Sequence, residues 1–224
     1  IDDDAPACDR VVAHHLDSVQ AAIDAANAGD VICLAGGTYS ERVDLGGAAV
    51  TLWGVHGAAV TILDGRFEGR VVQLVGGEGP DTVLAGLTVT RGLVESGVGG
   101  GIWIVDASPT LRDLVVSDNW ANSEAGWGGG GVAVEGGAPT FTRVMVTENV
   151  AYYYVGSGYD DGGWGGGLLL SGDDSVLESV VIVDNYARGG GAGVYLKDST
   201  ATLVGCDVRD NGQPGYGAGA AVVG

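Results

Sequence analysis

A glycine followed 18 residues later by an asparagine occurs four times in this chain of 224 residues. The pairs are Gly101 and Asn119, Gly131 and Asn149, Gly167 and Asn185, and Gly193 and Asn211. The gap from each asparagine to the next glycine varies, at 12, 18, 8 and 8 residues. A block of fixed length alternating with one of free length is typical of a solenoid whose insertions all leave from one corner. The pattern therefore predicts a repeat protein with one regular wall and one variable loop face.

Short apolar strands fill the fixed blocks. Apolar residues recur at equal positions in each block, and alternation along a strand places them on one face. The inward columns are Ile102, Val132, Leu168 and Val194; Leu111, Phe141, Leu177 and Leu203; and Val116, Val146, Ile182 and Val208. Positions such as Trp103 lie between them and are expected to face outward. Three strands per rung predict an all-β fold, a right-handed parallel β-helix, with glycine turns between the strands.

The asparagines are expected to form a structural ladder of Asn119, Asn149, Asn185 and Asn211. Asparagine tolerates left-handed backbone at a sharp corner, and its amide can bond to the amide in the next rung. An acidic residue precedes each asparagine, giving the column Asp118, Glu148, Asp184 and Asp210. Stacked like charges repel. Turn capping, exposure to solvent and a bound cation are the three ways in which the sequence allows this repulsion to be relieved.

One helix is predicted, over residues 16–30 with its body at 17–28. Asp17 and Gln20 have the spacing of a capping box, and Gly29 supplies a stop. The helix should close the N-terminal end of the solenoid. We therefore divide the chain into residues 1–47, the cap helix and first rung, and 48–224, β-helix rungs that continue beyond this sequence.

Charge and cysteine content restrict the environment and the partners. The net charge of −19 and the pI of about 4.1 exclude nucleic acid as a partner and would repel an anionic polysaccharide unless cations intervene. No apolar run approaches the length of a membrane span. Cys8 and Cys33 flank the N-terminal segment and could form a disulfide in an oxidising compartment. The alternative is a pair of buried free thiols.

Two segments resemble known β-helix proteins. The stretch from Val19 to Tyr39 is similar to the N-terminal cap and first rung of the pectin-lyase-like superfamily. The stretch from Asn185 to Tyr195 resembles the glycine-rich, asparagine-ended repeats of bacterial surface β-helix proteins, including the polymorphic outer-membrane type. The resemblance implies the fold and an extracellular or cell-surface location. It does not imply an activity, because this fold carries lyases, hydrolases, epimerases and adhesins.

The residues needed for catalysis are sparse in the regular repeats. A lyase of this fold would need acidic residues on neighbouring rungs to hold Ca²⁺, together with a basic residue to abstract a proton. The outward column Val115, Met145, Val181 and Asp207 contains a single acid. The histidines, His14, His15 and His56, all precede the repeats. The sequence therefore favours a non-enzymatic module, with a polysaccharide lyase or glycoside hydrolase as the alternative.

Aromatic residues collect in the two longest insertions. The candidate ligand-binding residues are Trp120, Trp127, Tyr152, Tyr153, Tyr154, Tyr159 and Trp164. Aromatic rings beside carboxylates often grip sugars, and loops on a rigid scaffold often carry function. The alternative is that these rings only fold back and hold the glycine-rich loops in place. Asp160 and Asp161 could contribute calcium ligands, and Ca²⁺ is the one cofactor that the sequence suggests.

These patterns predict a secreted or cell-surface module that binds polysaccharide or cell-surface glycan through its aromatic loops. A structural spacer or self-assembling element is a further alternative. The last strand, residues 219–224, has no cap after it, and an open strand edge invites pairing with another chain. End-to-end self-association through this rung is therefore expected.

Overall fold

The structure is a computed structural model that describes residues 6–13, 17–122, 128–152, 162–212 and 219–223, and the backbone alone at 154–155 and 158–159. Within these residues the chain winds into a parallel β-helix, because each strand pairs in parallel with the equivalent strand one rung away. The all-β solenoid predicted from the repeat is confirmed. Three long sheets, numbered 1 to 3 below, form its walls, and a short sheet 4 lies beside the variable loops.

The strands of sheets 1 and 2 follow one another within each rung. Sheet 1 consists of Arg10–Val12, Val31–Leu34, Thr51–Gly54, Val83–Ala85, Thr110–Arg112, Thr140–Thr142, Val176–Glu178 and Thr202–Val204. Sheet 2 consists of Gly37–Tyr39, Thr61–Asp64, Thr88–Thr90, Val115–Ser117, Met145–Thr147, Val181–Val183 and Asp207–Arg209.

Sheets 3 and 4 complete the rungs. Sheet 3 consists of Val43–Asp44, Val72–Leu74, Ile102–Val105, Val132–Glu135, Leu168–Ser171, Val194–Lys197 and Ala220–Val223. Sheet 4 consists of Leu93–Val94, Trp120–Asn122, Val150–Tyr152 and Tyr186–Ala187. A separate antiparallel pair joins Tyr154–Val155 to Gly158–Tyr159. The regular rungs thus have four strands rather than the three predicted, because the chain stays extended after the asparagine and pairs once more before the loop.

The strand registers confirm the inward columns. Leu111 pairs with Phe141, which in turn pairs with Leu177, and all three side chains are at most 1% exposed. The other two columns align in the same way and form one continuous apolar core along the solenoid. At the last described rung the core is open, since Leu203 is 39% and Val222 is 74% exposed.

The column predicted to face outward from sheet 3 is buried in a second, smaller core. Ala133, Leu169 and Tyr195 are at most 5% exposed, and Trp103 packs against them. Glycine-rich segments cross this face closely: a Cβ built on Gly129 would lie 2.9 Å from the Cβ of Ala133. The column does face away from the main core, as predicted, and its burial was not foreseen because the glycines were taken as turn residues, whereas their small size lets the backbone cover the sheet.

The N-terminal helix is shorter than predicted, spanning Val19–Asp24, and its cap is Ser18 rather than Asp17. The Ser18 side chain accepts a hydrogen bond from Ala21 N at 3.2 Å. Two further amides at this end, those of Val19 and Gln20, donate to the carboxylate of Glu41 at 3.0 and 3.2 Å. The cap partner therefore comes from a later segment of the chain, which local spacing could not reveal.

Cys8 and Cys33 form a disulfide with a Cα–Cα distance of 5.6 Å. The bond ties the segment that contains Arg10–Val12 to the neighbouring strand Val31–Leu34 of sheet 1. Cys206 is a free thiol that packs against the main core.

Candidate functional site

The asparagine column forms an amide ladder that fixes the corner below the variable loops. The side-chain amide of Asn119 donates to Oδ1 of Asn149 at 3.0 Å, Asn149 donates to Asn185 at 3.0 Å, and Asn185 donates to Asn211 at 3.0 Å. The ladder ends at Gly92, whose backbone N–H donates to Oδ1 of Asn119 at 2.8 Å. Gly92 stands where the pattern would place a further asparagine.

The left-handed residue at this corner is the acid before each asparagine, not the asparagine itself. Asp118, Glu148, Asp184 and Asp210 have φ values of 54°, 57°, 57° and 53°. The sequence interpretation assigned this conformation to the wrong residue. The acid turns the chain with its side chain outside, which leaves the asparagine amide in the buried ladder. Arg91 has φ 54° at the equivalent position one rung earlier, and its N–H donates to the carbonyl of Asp118.

Three aromatic rings in edge contact lie beside this corner, and we call them the aromatic row: Phe67, Trp120 and Tyr152. The ring centroids of Phe67 and Trp120 are 6.2 Å apart, and those of Trp120 and Tyr152 are 6.1 Å apart, with interplanar angles of 73° and 86°. Phe67 and Trp120 are each 39% exposed. The row therefore presents apolar rings to solvent on a strongly acidic protein.

The backbone that carries the row is held firmly. Trp120 follows the buried Asn119 directly, and its backbone N–H donates to the carbonyl of Gly92 at 2.9 Å. Its indole N–H donates to the Asp118 carboxylate at 3.4 Å. Phe67 stands in a left-handed turn with φ 60°, and its N–H donates to the carbonyl of Arg91 at 2.6 Å. The backbone at Trp120 and Phe67 is thus fixed by the rungs rather than by the long insertions.

A cleft of about 590 Å³ opens at the Phe67 end of the row. Its walls are the segments Phe67–Arg70 and Leu93–Ser96. The lining combines two aliphatic side chains, Leu93 and Val94, with the carboxylates of Glu68 and Glu95 and the guanidinium of Arg70. We refer to it as the Phe67 cleft.

Arg70 is the most constrained charge in the Phe67 cleft. Its guanidinium carbon lies 4.1 Å from the ring centroid of Trp103, and its Nε donates to the carbonyl of Val98 at 3.0 Å. Burial lowers the pKa of Arg70, and the nearby carboxylate of Glu135 opposes that shift. The side chain is thus a cation held in one orientation and partly removed from water.

Three further arginines surround the same turn. Arg66 is exposed beside Phe67, and Arg42 donates a hydrogen bond to the carbonyl of Glu68. Arg91 donates through Nε to the buried Asp64 carboxylate at 2.9 Å. Sequence reasoning did not single out Phe67 or Arg70. The available signal was the density of basic residues here in a chain with only ten Lys and Arg.

The other predicted ligand-binding residues have different places. Trp164 is partly buried in the second core and packs on Tyr195, with ring centroids 5.9 Å apart, as expected of a ring that holds a loop in place. The backbones of Tyr154 and Tyr159 pair in the antiparallel strands. Trp127, Tyr153, Asp160 and Asp161 lie outside the described residues. The calcium role of the two aspartates stays a prediction.

No group of three or more His, Cys, Asp and Glu side chains among the described residues is arranged to hold a metal ion. Nor does the described part contain a helix long and apolar enough to cross a bilayer.

Comparison with solved structures identifies the class of fold. A pectin methylesterase solved in complex with a hexasaccharide superposes with a TM-score of 0.54 and 11% identity, over 97% of this chain and 66% of that one. Escherichia coli YbhC gives 0.55 and 14% identity, over 97% of this chain and 73% of that one. The chain thus spans just under two thirds of the first structure. No protein-family model and no curated protein matches.

The chain therefore has the right-handed parallel β-helix fold of the pectin-lyase-like proteins. At these identities the likeness shows the fold alone. Neither structure bears on the resemblance of the glycine-rich repeats to bacterial surface proteins, which stays a prediction.

Proposed function

We propose that this chain is a glycan-binding β-helix module of an extracellular or cell-surface protein. The observation that carries the proposal is the aromatic row beside the Phe67 cleft. A sugar ring presents a C–H face that packs on an aromatic face, while its hydroxyl groups need polar partners at the edge. Glu68, Glu95 and Asp118 supply acceptors beside the rings.

The rigidity of the row supports binding rather than incidental exposure. The backbones at Trp120 and Phe67 are fixed by hydrogen bonds to neighbouring rungs, so little backbone freedom remains to be lost when a ligand binds. Trp164, in contrast, is used to cover the second core. Ligand binding is therefore supported for the exposed rings of the aromatic row, and a role in holding a loop in place is supported for Trp164.

The extracellular setting is supported by the disulfide between Cys8 and Cys33, because such bonds persist in oxidising compartments. The pectin methylesterase used in the comparison was solved with a bound hexasaccharide. That property belongs to the other protein, and it supports our proposal only by showing that the fold can present a glycan site.

A glycan array followed by titration tests the proposal. Trp120→Ala should weaken binding of the selected glycan by roughly tenfold, equivalent to about 1.4 kcal/mol. Trp53→Ala is the matched control, since Trp53 is a half-buried tryptophan of sheet 1, and it should leave the affinity unchanged. Equal losses in both variants, or the absence of binding to any glycan, would contradict the proposal.

Glycoside hydrolysis is the second candidate, because Glu68 and Glu95 both line the Phe67 cleft and a pair of carboxylates can act as acid and base on a glycosidic bond. The same glycans can be incubated with the chain and assayed for new reducing ends. Product that disappears in Glu95→Gln would establish the hydrolase. If the glycan is not cleaved, hydrolysis is excluded and glycan binding remains the proposed function.

End-to-end association through the last described rung stays a prediction. Its apolar side chains Leu203 and Val222 are exposed, and burying such residues between two copies would be favourable. Light scattering as a function of concentration tests it. A mass that stays at that of one chain up to high concentration would exclude it.

A further inference from the structure

We propose that the glycan bound at the Phe67 cleft is sulfated, and that Arg70 holds the sulfate ester. This inference rests on the proposed function, because it names the class of ligand for the same site. It also departs from the expectation based on net charge alone, by which a chain of −19 should avoid anionic polymers.

Basic residues are concentrated around the turn at Phe67, and of these Arg70 lines the cleft. Four of the ten Lys and Arg residues of the chain, Arg42, Arg66, Arg70 and Arg91, lie on or against the turn around Phe67. Exposed charges interact mainly within about 8 Å at physiological ionic strength. A ligand in the cleft therefore interacts mainly with the charged residues that line it, Arg70, Glu68 and Glu95, rather than with the net charge of the whole chain.

Arg70 is already oriented to bind an anion. Stacking on Trp103 and the hydrogen bond from Nε to Val98 fix the plane of the guanidinium. The carboxylate that acts on Arg70, that of Glu135, accepts a hydrogen bond from the Trp103 indole at 2.7 Å, and no direct ion pair to Arg70 is found among the described residues. A partly buried guanidinium without a direct carboxylate contact gains free energy when an anion approaches its remaining N–H groups.

The position of Arg70 favours an anion that projects from the sugar ring. The backbone of the Leu93–Ser96 wall continues over the guanidinium, since a Cβ built on Gly97 would lie 2.8 Å from Nη2. Only part of the guanidinium is then reachable from the cleft. A sulfate ester extends one linkage further from its ring than a ring carboxylate does, and it offers three oxygens to a fork of N–H donors.

The carboxylates of the lining add selectivity. Glu68 and Glu95 are exposed residues of the cleft lining and repel a carboxylate or sulfate that lies beside them. An anion is favoured only where it contacts Arg70. The arrangement therefore selects a pendant anionic group on a neutral sugar chain over a polymer with a carboxylate on every ring.

Binding should be measured on three polymers: a carrageenan, the same carrageenan after chemical desulfation, and polygalacturonate. The chain should bind the sulfated polymer at least tenfold more tightly than the other two. Arg70→Gln should reduce binding of the sulfated polymer to the level of the desulfated one. Arg143→Gln is the matched control, since this exposed arginine pairs with Asp113 on another wall, and it should change nothing.

The outcomes separate this inference from the proposed function. Trp120→Ala should weaken binding of both the sulfated and the desulfated polymer, because it removes part of the aromatic row. If Arg70→Gln binds the sulfated polymer normally, or if polygalacturonate binds as tightly and depends on Arg70, the sulfate assignment is wrong while the glycan site stands. If Trp120→Ala has no effect on any polymer, the glycan site itself is wrong.

Arg70→Lys guards against misfolding of the glutamine variant. It keeps the positive charge and loses the planar fork, so a folded lysine variant should retain part of the preference for sulfate. A lysine variant with unchanged affinity would show that Arg70 acts only as a point charge and would overturn the proposed contact.

Discussion

The amide of Asn149 occupies the space that a side chain on Gly131 would need. A Cβ built on Gly131 would lie 2.9 Å from both Cγ and Nδ2 of Asn149, closer than ordinary van der Waals contact. The same relationship joins Gly101 to Asn119, Gly167 to Asn185 and Gly193 to Asn211. The 18-residue interval is therefore the length of chain that runs around three walls and returns to the same corner, where the glycine leaves room for the amide.

Gly131→Ala should destabilise the fold. The new methyl group would meet the Asn149 amide and also lie 2.8 Å from the carbonyl oxygen of Gly167, and overpacking of this kind costs about 1–3 kcal/mol. Urea unfolding measures the loss. Gly79→Ala is the control, since a Cβ there meets nothing within 4 Å, and it should stay within about 0.5 kcal/mol of the parent. Equal stability of the two variants would show that the ladder can move aside.

Asn149→Ala should reduce the stability of the fold more than Asn211→Ala does. Asn149 is fully buried, and its Oδ1 accepts hydrogen bonds from N and Nδ2 of Asn119 at 3.1 and 3.0 Å. Truncation leaves the backbone N–H of Asn119 buried without this partner, at about 1–3 kcal/mol, whereas Nδ2 of Asn119 keeps the carbonyls of Val89 and Ser117 as acceptors. Asn211 ends the described ladder and is partly exposed, so water can replace its bonds. Thermal unfolding of the two variants checks the order, and a larger loss at Asn211 would contradict it.

Cys8→Ala should loosen the N-terminal strand. The disulfide closes a loop with a sequence separation of 25, and a loop of that size corresponds to about 3 kcal/mol in the chain-entropy estimate. Hydrogen exchange at Val11 and Val12 should accelerate, and the unfolding midpoint should fall. Cys206→Ala is the control, because it removes a free thiol and cross-links nothing. Unchanged exchange in Cys8→Ala would mean that strand pairing alone holds this segment.

The sequence predicted the scaffold well because the scaffold repeats. Columns such as Leu111, Phe141 and Leu177 can be recognised in the sequence alone, since each rung repeats the same pattern of inward-facing apolar residues. The position of the left-handed residue was predicted wrongly because asparagine satisfies two criteria, tolerance of positive φ and an amide for bonding, and the structure uses only the second. Asp118 takes the turn, which frees Asn119 for the ladder.

The candidate site was only partly predictable. Trp120 and Tyr152 were predicted because aromatic residues gather in the two longest insertions between repeats. Phe67 and Arg70 precede the regular copies, so no periodic pattern pointed to them. The proximity of Phe67 to Trp120 depends on a left-handed turn at Arg66 and Phe67, and nothing in the local sequence indicates which corner of the solenoid that turn approaches.

Acid should remove the contribution of the Asp113–Arg143 ion pair to the stability of the fold. Hydrogen bonding from Arg143 lowers the pKa of Asp113, despite an opposing effect of burial. A lowered pKa in the folded state means stability that is present above the ordinary pKa range of aspartate and is lost as the pH falls through the folded pKa. The stabilities of the parent and of Asp113→Asn should therefore differ at neutral pH and converge in acid. A difference that persists at the acid end would contradict this linkage.

The salt dependence of glycan binding should pass through a maximum. At about 0.01 M salt the screening length is near 30 Å, so an anionic ligand at the Phe67 cleft is repelled by most of the chain's excess negative charge. At about 0.15 M it is near 8 Å, so the distant charges are screened and the direct contact with Arg70 holds the sulfate. At about 1 M the attraction to Arg70 is also screened. Titration of sulfated carrageenan over this range should give its tightest binding in the middle. In Arg70→Gln the affinity should still rise at low salt but should no longer decline at high salt. If the affinity of the parent chain falls steadily from low to high salt, its net charge does not affect binding at the cleft.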